Sequence, residues 1–544
     1  MRVETSVPPV AAAPRREWRN VSLLMLVAAV LWVPLYWQSR FVALLNPDAQ
    51  DYAQIARNIL EGKGMLSNTM PLCGLEWMKQ TGRLGMPWWN VHRFPFPSVI
   101  EAGLFRIFGA NDFAAVLFSA IFFFATIPLV FLIARRLFSY RVAMLAAFLY
   151  VFAGGPMRDS ITGLTEPAAT FFFVWALYLV VWPRNRWSYA LAGLITGVSF
   201  LNRSSVFLYG FPMIYLLTLA REPGGSLGRR LPIGESVRNV LAFCIPGAIV
   251  IAPWLYRNQV VAGGPLFSLT QALMARYMTD ASPHTHDWYQ FHYETVGHFF
   301  KAHPMMALKK WFTQMGGLWW LDWPRIGDVD WFIPALVLSV LKPYVGAAGW
   351  LRRWLFGVLL FHFFVLAVLS NIPRYYSIFT PFILIYAAEA LLALWDQWRP
   401  LASRRRLWLA GFLAAPMLLN WLYIAGPPRK FREERIRFET QPGNEAWIRA
   451  NTPANAVIAT DIPWSVGWYG RRKALAIPPT PAEMPRYADY GFMPEGIYLK
   501  MPYHTMDLPN GWNEWRLVQY GHTPVPGYRL AHVFPDQSVF YERD

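Results

Sequence analysis

The chain has 544 residues, of which 55% are apolar, 17% aromatic and only 15% charged, against about 25% charged in an ordinary soluble domain. That balance excludes a disordered chain, a coiled coil and an ordinary cytosolic enzyme, and it is too apolar for a nucleic-acid-binding protein despite a formal net charge of +17. The apolar residues fall in runs long enough to cross a bilayer, which predicts an integral membrane protein.

In chain order, a basic segment (1–20) precedes the first run, Val21–Trp37. Gln38-Ser39-Arg40 follows in place of a small-residue cleavage site, so this run reads as a retained first span. About ten more spans are expected at 113–133, 142–157, 166–182, 188–202, 206–220, 240–255, 331–351, 354–371, 377–395 and 407–425, the eighth of the eleven being interrupted by Lys342-Pro343. Arginine clusters sit in the segments before span one and between alternate spans: Arg135-Arg136 and Arg141, Arg184 and Arg186, Arg221 to Arg238, Arg352-Arg353, and Arg404 to Arg406. All fall on one side if the N-terminus is inside, as positive-inside bias requires. The other side, the periplasm or exterior of a bacterium, then receives the segments 38–112, 256–330 and 426–544. The expected fold is an all-α polytopic membrane domain (21–425) with outer-face interfacial helices and a small soluble α/β domain (426–544). In that last domain Glu445–Ala450 reads as helix, Val457–Thr460 and Ala474–Ile477 as strands, and Tyr528–Phe534 with Ser538–Tyr541 as a terminal hairpin. The two cysteines, Cys73 in a polar loop and Cys244 in a span, are expected at different depths and unpaired.

Ionisable groups at the outer membrane surface are the ones to weigh for chemistry, because charges are costly in lipid. The first outer loop opens Asn46-Pro47-Asp48-Ala49-Gln50-Asp51-Tyr52. From there Tyr52, Ile55, Ala56, Ile59 and Leu60 share one face of a helix expected to lie along the interface. Asp48 at its start reads either as an N-cap or as a functional carboxylate facing water beside the bilayer. His92-Arg93 stands before a Pro-rich return to the membrane and could hold a phosphate or anchor at headgroup level. Glu166, Arg203, Arg257 and Arg374 each fall at the outer end of a span. With Arg93 these make four arginines on the outer side, where positive-inside bias should deplete them, and they point to one phosphate-binding cavity. His284 and His286, next to Asp287, have the ligand types for a divalent metal, although their spacing is no specific zinc signature.

These residues come in an order that resembles the membrane glycosyltransferases of the GT-C class. Pro47-Asp48 with Tyr52-Ala53 and Ala56-Arg57-Asn58 is followed by Arg93 with Pro95 and Pro97. Then come Leu132–Phe138, Thr165-Glu166-Pro167, Asn202-Arg203, Pro253-Trp254 to Arg257-Asn258 and Arg374-Tyr375, and Trp447–Pro453 in the tail. The resemblance is to the bacterial protein-mannosyltransferase-like and lipid A aminoarabinose-transferase-like group, and it covers nearly the whole chain. It implies transfer of a sugar from a polyprenyl-phosphate carrier to a lipid, glycan or protein acceptor on the outer face of a bacterial inner membrane. It places the catalytic carboxylate at Asp48, with Asp51 able to share or take the role because Ala49 stands where relatives often have Glu. Arg93, Arg203, Arg257 and Arg374, with Tyr375, Glu166 and Tyr52, would bind the substrate and its phosphate. Aminoarabinose transferases tend to have Glu-Lys-Pro-Pro where this chain has His92-Arg93-Phe94-Pro95. This change removes the basis for aminoarabinose specificity and leaves His92 as a substitute ligand for a divalent metal. A lone base without a nucleophile implies inversion by direct displacement. An O-antigen-type ligase, and a lipid or polysaccharide transporter or flippase, are the alternative readings.

Overall fold

The computed structural model describes residues 15–34, 41, 43–222, 225–270, 289–317, 339–367, 373–397, 411, 441–500, 512–521 and 523–544. The N-terminal part is helical: α1 (Arg15–Pro34), α2 (Pro47–Leu60), a two-residue strand β1 (Thr69–Met70), α3 (Leu72–Gln80), α4 (Pro95–Phe108), α5 (Asp112–Leu137), α6 (Tyr140–Phe152), the short α7 (Gly154–Asp159), α8 (Glu166–Val181), α9 (Arg186–Asn202) and α10 (Phe207–Leu216). A hairpin of β2 (Leu219–Arg221) and β3 (Leu227–Arg230) leads into α11 (Ile233–Ala262), and α12 (Val296–Ala302), α13 (Pro304–Gly317), α14 (Gly346–Leu366) and α15 (Thr380–Gln397) follow. The tail holds α16 (Gln441–Asn451), β4 (Val457–Thr460), α17 (Pro463–Trp468), β5 (Lys473–Ala476), β6 (Gly496–Leu499), α18 (Trp512–Gly521), β7 (Tyr528–Val533) and β8 (Val539–Arg543).

Among the described residues five helical stretches are long and apolar enough to span a membrane: α1, α5, α11, α14 and Arg374–Gln397. α6, α8 and the 204–216 stretch are shorter and apolar. The eleventh expected span (407–425) and most of the eighth lie outside the described residues. Where span eight should pass to span nine, the structure differs from the sequence expectation. Arg352 and Arg353 do not lie in a connection but inside α14. The break falls earlier, at Lys342-Pro343, and the Arg352 guanidinium reaches back to the carbonyls of Ser339 and Lys342. A charged side chain is tolerated there because it caps the end of the preceding helical turn.

α8 and α9 form an antiparallel hairpin, and α9 packs along α11 through glycines. A Cβ at Gly197 would stand 2.8 Å from the Gly247 carbonyl oxygen, and one at Gly193 would run into the Phe243 carbonyl. Small residues four apart on one helix let membrane helices approach backbone to backbone.

The tail folds on a mixed six-stranded sheet ordered β1-β5-β4-β6-β8-β7, parallel from β1 to β6 and antiparallel at the terminal hairpin. Its edge strand β1 comes from the first loop, with Thr69 opposite Ala474 and Met70 opposite Leu475. The tail therefore sits on the first loop, and α2 lies beneath both. This corrects the expectation of an interfacial helix with one face in water. α2 is buried all round from Ala49 to Asn58, including Gln50, Asp51, Gln54, Arg57 and Asn58. The polar face that reads as solvent-facing in the sequence is satisfied by protein: Arg57 donates to the carbonyls of Trp468 (2.6 Å) and Gly467 (2.7 Å), and Asn58 to that of Leu66 (2.8 Å).

Candidate active site

The site forms where five separate pieces of chain meet at one end of the helix bundle. α2 begins after Asn46, whose side chain accepts from the Asp48 amide (2.9 Å), with Pro47 in the first turn. Asn46 is therefore the N-cap, and the Asp48 carboxylate is left free for other partners. Asp51 lies one turn on, wholly buried. Opposite them, Asn90 folds the 90–93 segment into an Asx-type turn. Its Oδ1 accepts from the amides of His92 (3.3 Å) and Arg93 (2.9 Å), and its Nδ2 donates to the Arg93 carbonyl. That turn aims both side chains at α2.

Arg93 bridges the two aspartates: its Nε lies 2.7 Å from Asp51 Oδ2 and its Nη2 2.8 Å from Asp48 Oδ1, and its guanidinium lies over the Tyr52 ring at 5.4 Å. His92 Nε2 is 2.6 Å from the same Asp51 oxygen, and the other Asp51 oxygen accepts from Thr69 Oγ1 (2.9 Å) and Gln54 (3.0 Å). On the far side of Asp48, Arg374 donates through Nη2 to Oδ2 at 2.8 Å and places its Nε 3.4 Å from Glu166 Oε1. Glu166 opens α8 and is only 3% exposed. It accepts from Arg203, at the end of α9, at 2.8 Å, while its Oε2 is buried without a hydrogen-bond partner. The Tyr375 ring underlies Arg203 at 4.3 Å and Arg374 at 5.7 Å.

Three arginines and three carboxylates thus alternate in one continuous chain, Asp51–Arg93–Asp48–Arg374–Glu166–Arg203, whose formal charges sum to zero with His92 neutral. Asp48, at 28% exposed, is the accessible carboxylate, and Asp51 is sealed. Burial by itself would raise both aspartates' proton affinity. The guanidiniums of Arg93 and Arg374 at Asp48, and His92 and Arg93 at Asp51, overcome it and hold both carboxyls well below the usual range. Burial pushes the Tyr52 phenol up to about 12, so it stays a neutral donor.

Nine of the twelve expected site residues are brought together: Asp48, Asp51, Tyr52, His92, Arg93, Glu166, Arg203, Arg374 and Tyr375. Arg257 stands apart. It donates to Asn258 (3.0 Å), lies over Trp254 and Trp89, and forms no ion pair with these carboxylates among the described residues. Its turn of α11 faces the 88–93 loop rather than Asp48. His284 and His286 lie outside the described residues. Asp51 and His92 offer two donors to a divalent metal, but the Arg93 guanidinium already occupies the same carboxylate oxygen and opposes a dication. Among the described residues no three His, Cys, Asp or Glu side chains converge. The residues at this point do not fit a divalent ion, and no step is built on one. Asn90, Gln54 and Thr69, which fix the turn and the second oxygen of Asp51, escaped the sequence reading. Asn two residues before His92 was the one local signal for them.

The fold has counterparts. The archaeal oligosaccharyltransferase AglB from Archaeoglobus fulgidus, in complex with an inhibitory peptide and a dolichol-phosphate, is similar over 97% of this chain and 74% of its own, with a TM-score of 0.54 at 16% identity. ArnT from Cupriavidus metallidurans bound to undecaprenyl phosphate is similar over 96% of this chain and 97% of its own, with a TM-score of 0.58 at 14% identity. The chain has the GT-C fold. Within it, residues 92–250 match the family model described as dolichyl-phosphate-mannose-protein mannosyltransferase. That stretch carries His92, Arg93, Glu166 and Arg203. No curated protein matches the sequence.

Proposed function

We propose that this protein is an inverting glycosyltransferase that moves a sugar from a polyprenyl-phosphate carrier to a hydroxyl acceptor at the outer face of a bacterial inner membrane, across a domain of about eleven spans, with Asp48 as general base. One observation carries the reading: the partly exposed carboxylate of Asp48 is held between Arg93 and Arg374 in a charge chain whose other two carboxylates, Asp51 and Glu166, are buried. The two ligand-bearing neighbours of known structure, each described with a polyprenyl phosphate, support the donor class.

The charge balance gives the mechanism its order. With three carboxylates against three guanidiniums, a carrier phosphate can gain strong contacts only by taking Arg93 and Arg374 from Asp48. Guanidinium binds phosphate in two-point fashion, so the exchange is chemically matched. Losing its cations, Asp48 regains basicity just when the sugar arrives. The acceptor oxygen then attacks the anomeric carbon while its proton passes to Asp48. The bond from that carbon to the phosphate oxygen breaks, and the phosphate, going from one negative charge to two, is held by the freed guanidiniums. Asp51 does not exchange. Pinned by His92, Thr69 and Gln54, it keeps Arg93 in place.

The test is to delete the gene and compare envelope lipids, glycans and proteins by mass spectrometry, then complement with wild type or Asp48→Asn. Wild type restores the missing sugar and Asp48→Asn does not. Restoration by Asp48→Asn at a near wild-type level would show that another group takes the proton.

A further inference from the structure

The other end of the same bundle carries an arginine-lined cavity of about 450 Å³. It lies where α8 ends, α9 begins and the β2–β3 hairpin enters α11, and it is lined by Arg184, Arg186, Arg221 and Arg238 with one carboxylate, Glu235. α8 has 16 residues, which puts this cavity about 24 Å along the helix axis from Glu166. It is therefore a different site on the opposite side of the membrane domain.

The turn that builds it is specific. Arg184 takes a left-handed backbone conformation (φ 45°), which lets Asn185 cap α9 by accepting from the Ser188 amide at 2.9 Å. The N-terminus of α9, a 17-residue helix, thus opens on the cavity with its positive dipole end. The arginines divide into two kinds. Arg184 and Arg221 are partly spent on backbone carbonyls, Arg184 on Leu219 and Arg221 on Val181. Among the described residues Arg238 reaches only a carbonyl of its own helix, Gly234 (3.1 Å), and Arg186 makes no hydrogen bond or ion pair, so two exposed guanidiniums keep most of their donors. Beside these charges stand large apolar side chains open to the surroundings, Trp187 at 86% and Ile233 at 83% exposed. A cationic hollow whose lining residue Arg186 is followed in the chain by Trp187, and whose Glu235 is preceded two positions earlier by Ile233, both exposed, suits a molecule with a phosphate at one end and hydrocarbon at the other.

We propose that this cavity binds the phosphate head group of an anionic membrane lipid, with Arg186 and Arg238 as its principal contacts and Trp187 and Ile233 against the acyl chains. A soluble phosphate would satisfy the arginines and leave Trp187 and Ile233 unused. The proposal does not depend on the reaction at Asp48.

The experiment uses the full chain in nanodiscs of phosphatidylcholine with or without phosphatidylglycerol, released into native mass spectrometry. Wild type is expected to retain phosphatidylglycerol. The double variant Arg186→Gln/Arg238→Gln should lose retention by about tenfold or more, as for two guanidiniums at a membrane surface, and Arg186→Lys/Arg238→Lys should keep most of it. Both positions are exposed, so folding of the variants is checked by an unchanged melting temperature in phosphatidylcholine alone. Equal retention by wild type and the glutamine variant overturns the proposal, and so does competition by inorganic phosphate at concentrations that leave bulk lipid undisturbed.

Discussion

Asp48 is held by two guanidiniums and partly exposed, whereas Asp51 is held by one guanidinium and an imidazole and sealed, and this difference separates what their substitutions should do. Asp48→Asn removes the proton acceptor and also the anion that competes with the carrier phosphate for Arg93 and Arg374. Transfer should fall by at least the 10²–10⁴-fold typical of a lost general base, while carrier affinity stays equal or rises. Arg374→Ala should weaken carrier binding. Measured dissociation constants for an undecaprenyl-phosphate sugar check both, and weaker binding by Asp48→Asn would exclude the exchange between carboxylate and phosphate. Asp51→Asn should instead destabilise the fold, because it leaves Arg93 and His92 short of a partner in a buried setting, a cost of about 3 kcal/mol, read as a lowered denaturation midpoint. A third carboxyl answers to pH in the opposite sense from these aspartates. Glu445, buried in the tail beside Ser465 (2.7 Å), has its proton affinity raised by burial to about 7, against the help of Lys500. A carboxyl raised on folding binds more protons folded than unfolded. Its contribution is therefore fully present at acid pH and is lost as pH climbs from the ordinary carboxylate range through about 7. For Asp48 and Asp51 the folded values are depressed, so their contribution is present at neutral pH and is lost on acidification below about 4. Melting temperature against pH should thus decline between about 5 and 8 in wild type, and Glu445→Gln should flatten that limb. An unchanged slope would mean that Glu445 is ionised in the folded tail.

Among the elements, α2 decides whether the site exists, and it is fixed from above by the tail rather than by the membrane. Arg57 on α2 donates to two carbonyls at the end of α17 and lies 5.0 Å from the Trp468 ring centroid. Trp468 and Tyr469 in turn donate to Asp112 at the start of α5, each at 2.7 Å. Gly467 is required for this approach, since a Cβ there would stand 2.8 Å from Thr69 Cγ2, and Thr69 is the residue that donates to Asp51. Gly467→Ala should therefore push on β1 and reach Asp51 without touching substrate. The expected signature is a lower kcat with carrier affinity nearly unchanged, whereas a merely structural effect would lower the amount of folded protein and leave kcat per folded molecule alone. Arg57→Ala should lower stability by about 3 kcal/mol, as two charge-assisted bonds to buried carbonyls are lost. This docking is also where the sequence is least legible. The periodicity of 47–60 showed a helix and its apolar face, but nothing local says that the polar face is covered. The covering residues lie about four hundred positions away, and a two-residue strand such as Thr69–Met70 has no pattern of its own. Charged residues at the ends of apolar runs were legible because lipid makes them expensive, and of these Glu166, Arg203 and Arg374, but not Arg257, join the charge chain around Asp48. Arg352 was misleading for the same reason: a charge inside an apolar run reads as a break, and here it caps the turn before the helix it belongs to.

For the molecule as a whole, the helices carry an asymmetry of charge from one end to the other. α5 starts at Asp112, under the tail, and ends at Leu137 beside Arg135 and Arg136. α8 starts at Glu166 in the site and ends near Arg184, and α9 returns from Arg186 to Arg203. The site and the six-stranded sheet therefore share one end of the bundle, while Arg135, Arg136, Arg141, Arg184, Arg186, Arg221, Arg229, Arg230 and Arg238 crowd the other. In the charge chain at the site each arginine is matched by a carboxylate, whereas the arginines at the far end outnumber their carboxylate partners, Glu17 for Arg135 and Asp396 for Arg141 among them, and it is unbalanced arginine that positive-inside bias retains in the cytoplasm. The acceptor should then meet the enzyme outside, where no nucleotide sugar is available, which is the circumstance in which a lipid-borne donor is needed. With Cys73 and Cys244 replaced by serine, a cysteine at the exposed Asp489 in the tail should react with a membrane-impermeant maleimide in intact spheroplasts. One at the exposed Arg229 in the β2–β3 hairpin should react only after permeabilisation. The reverse pattern would put Asp48 on the cytoplasmic face, where a soluble activated sugar could reach it and the lipid carrier would lose its purpose.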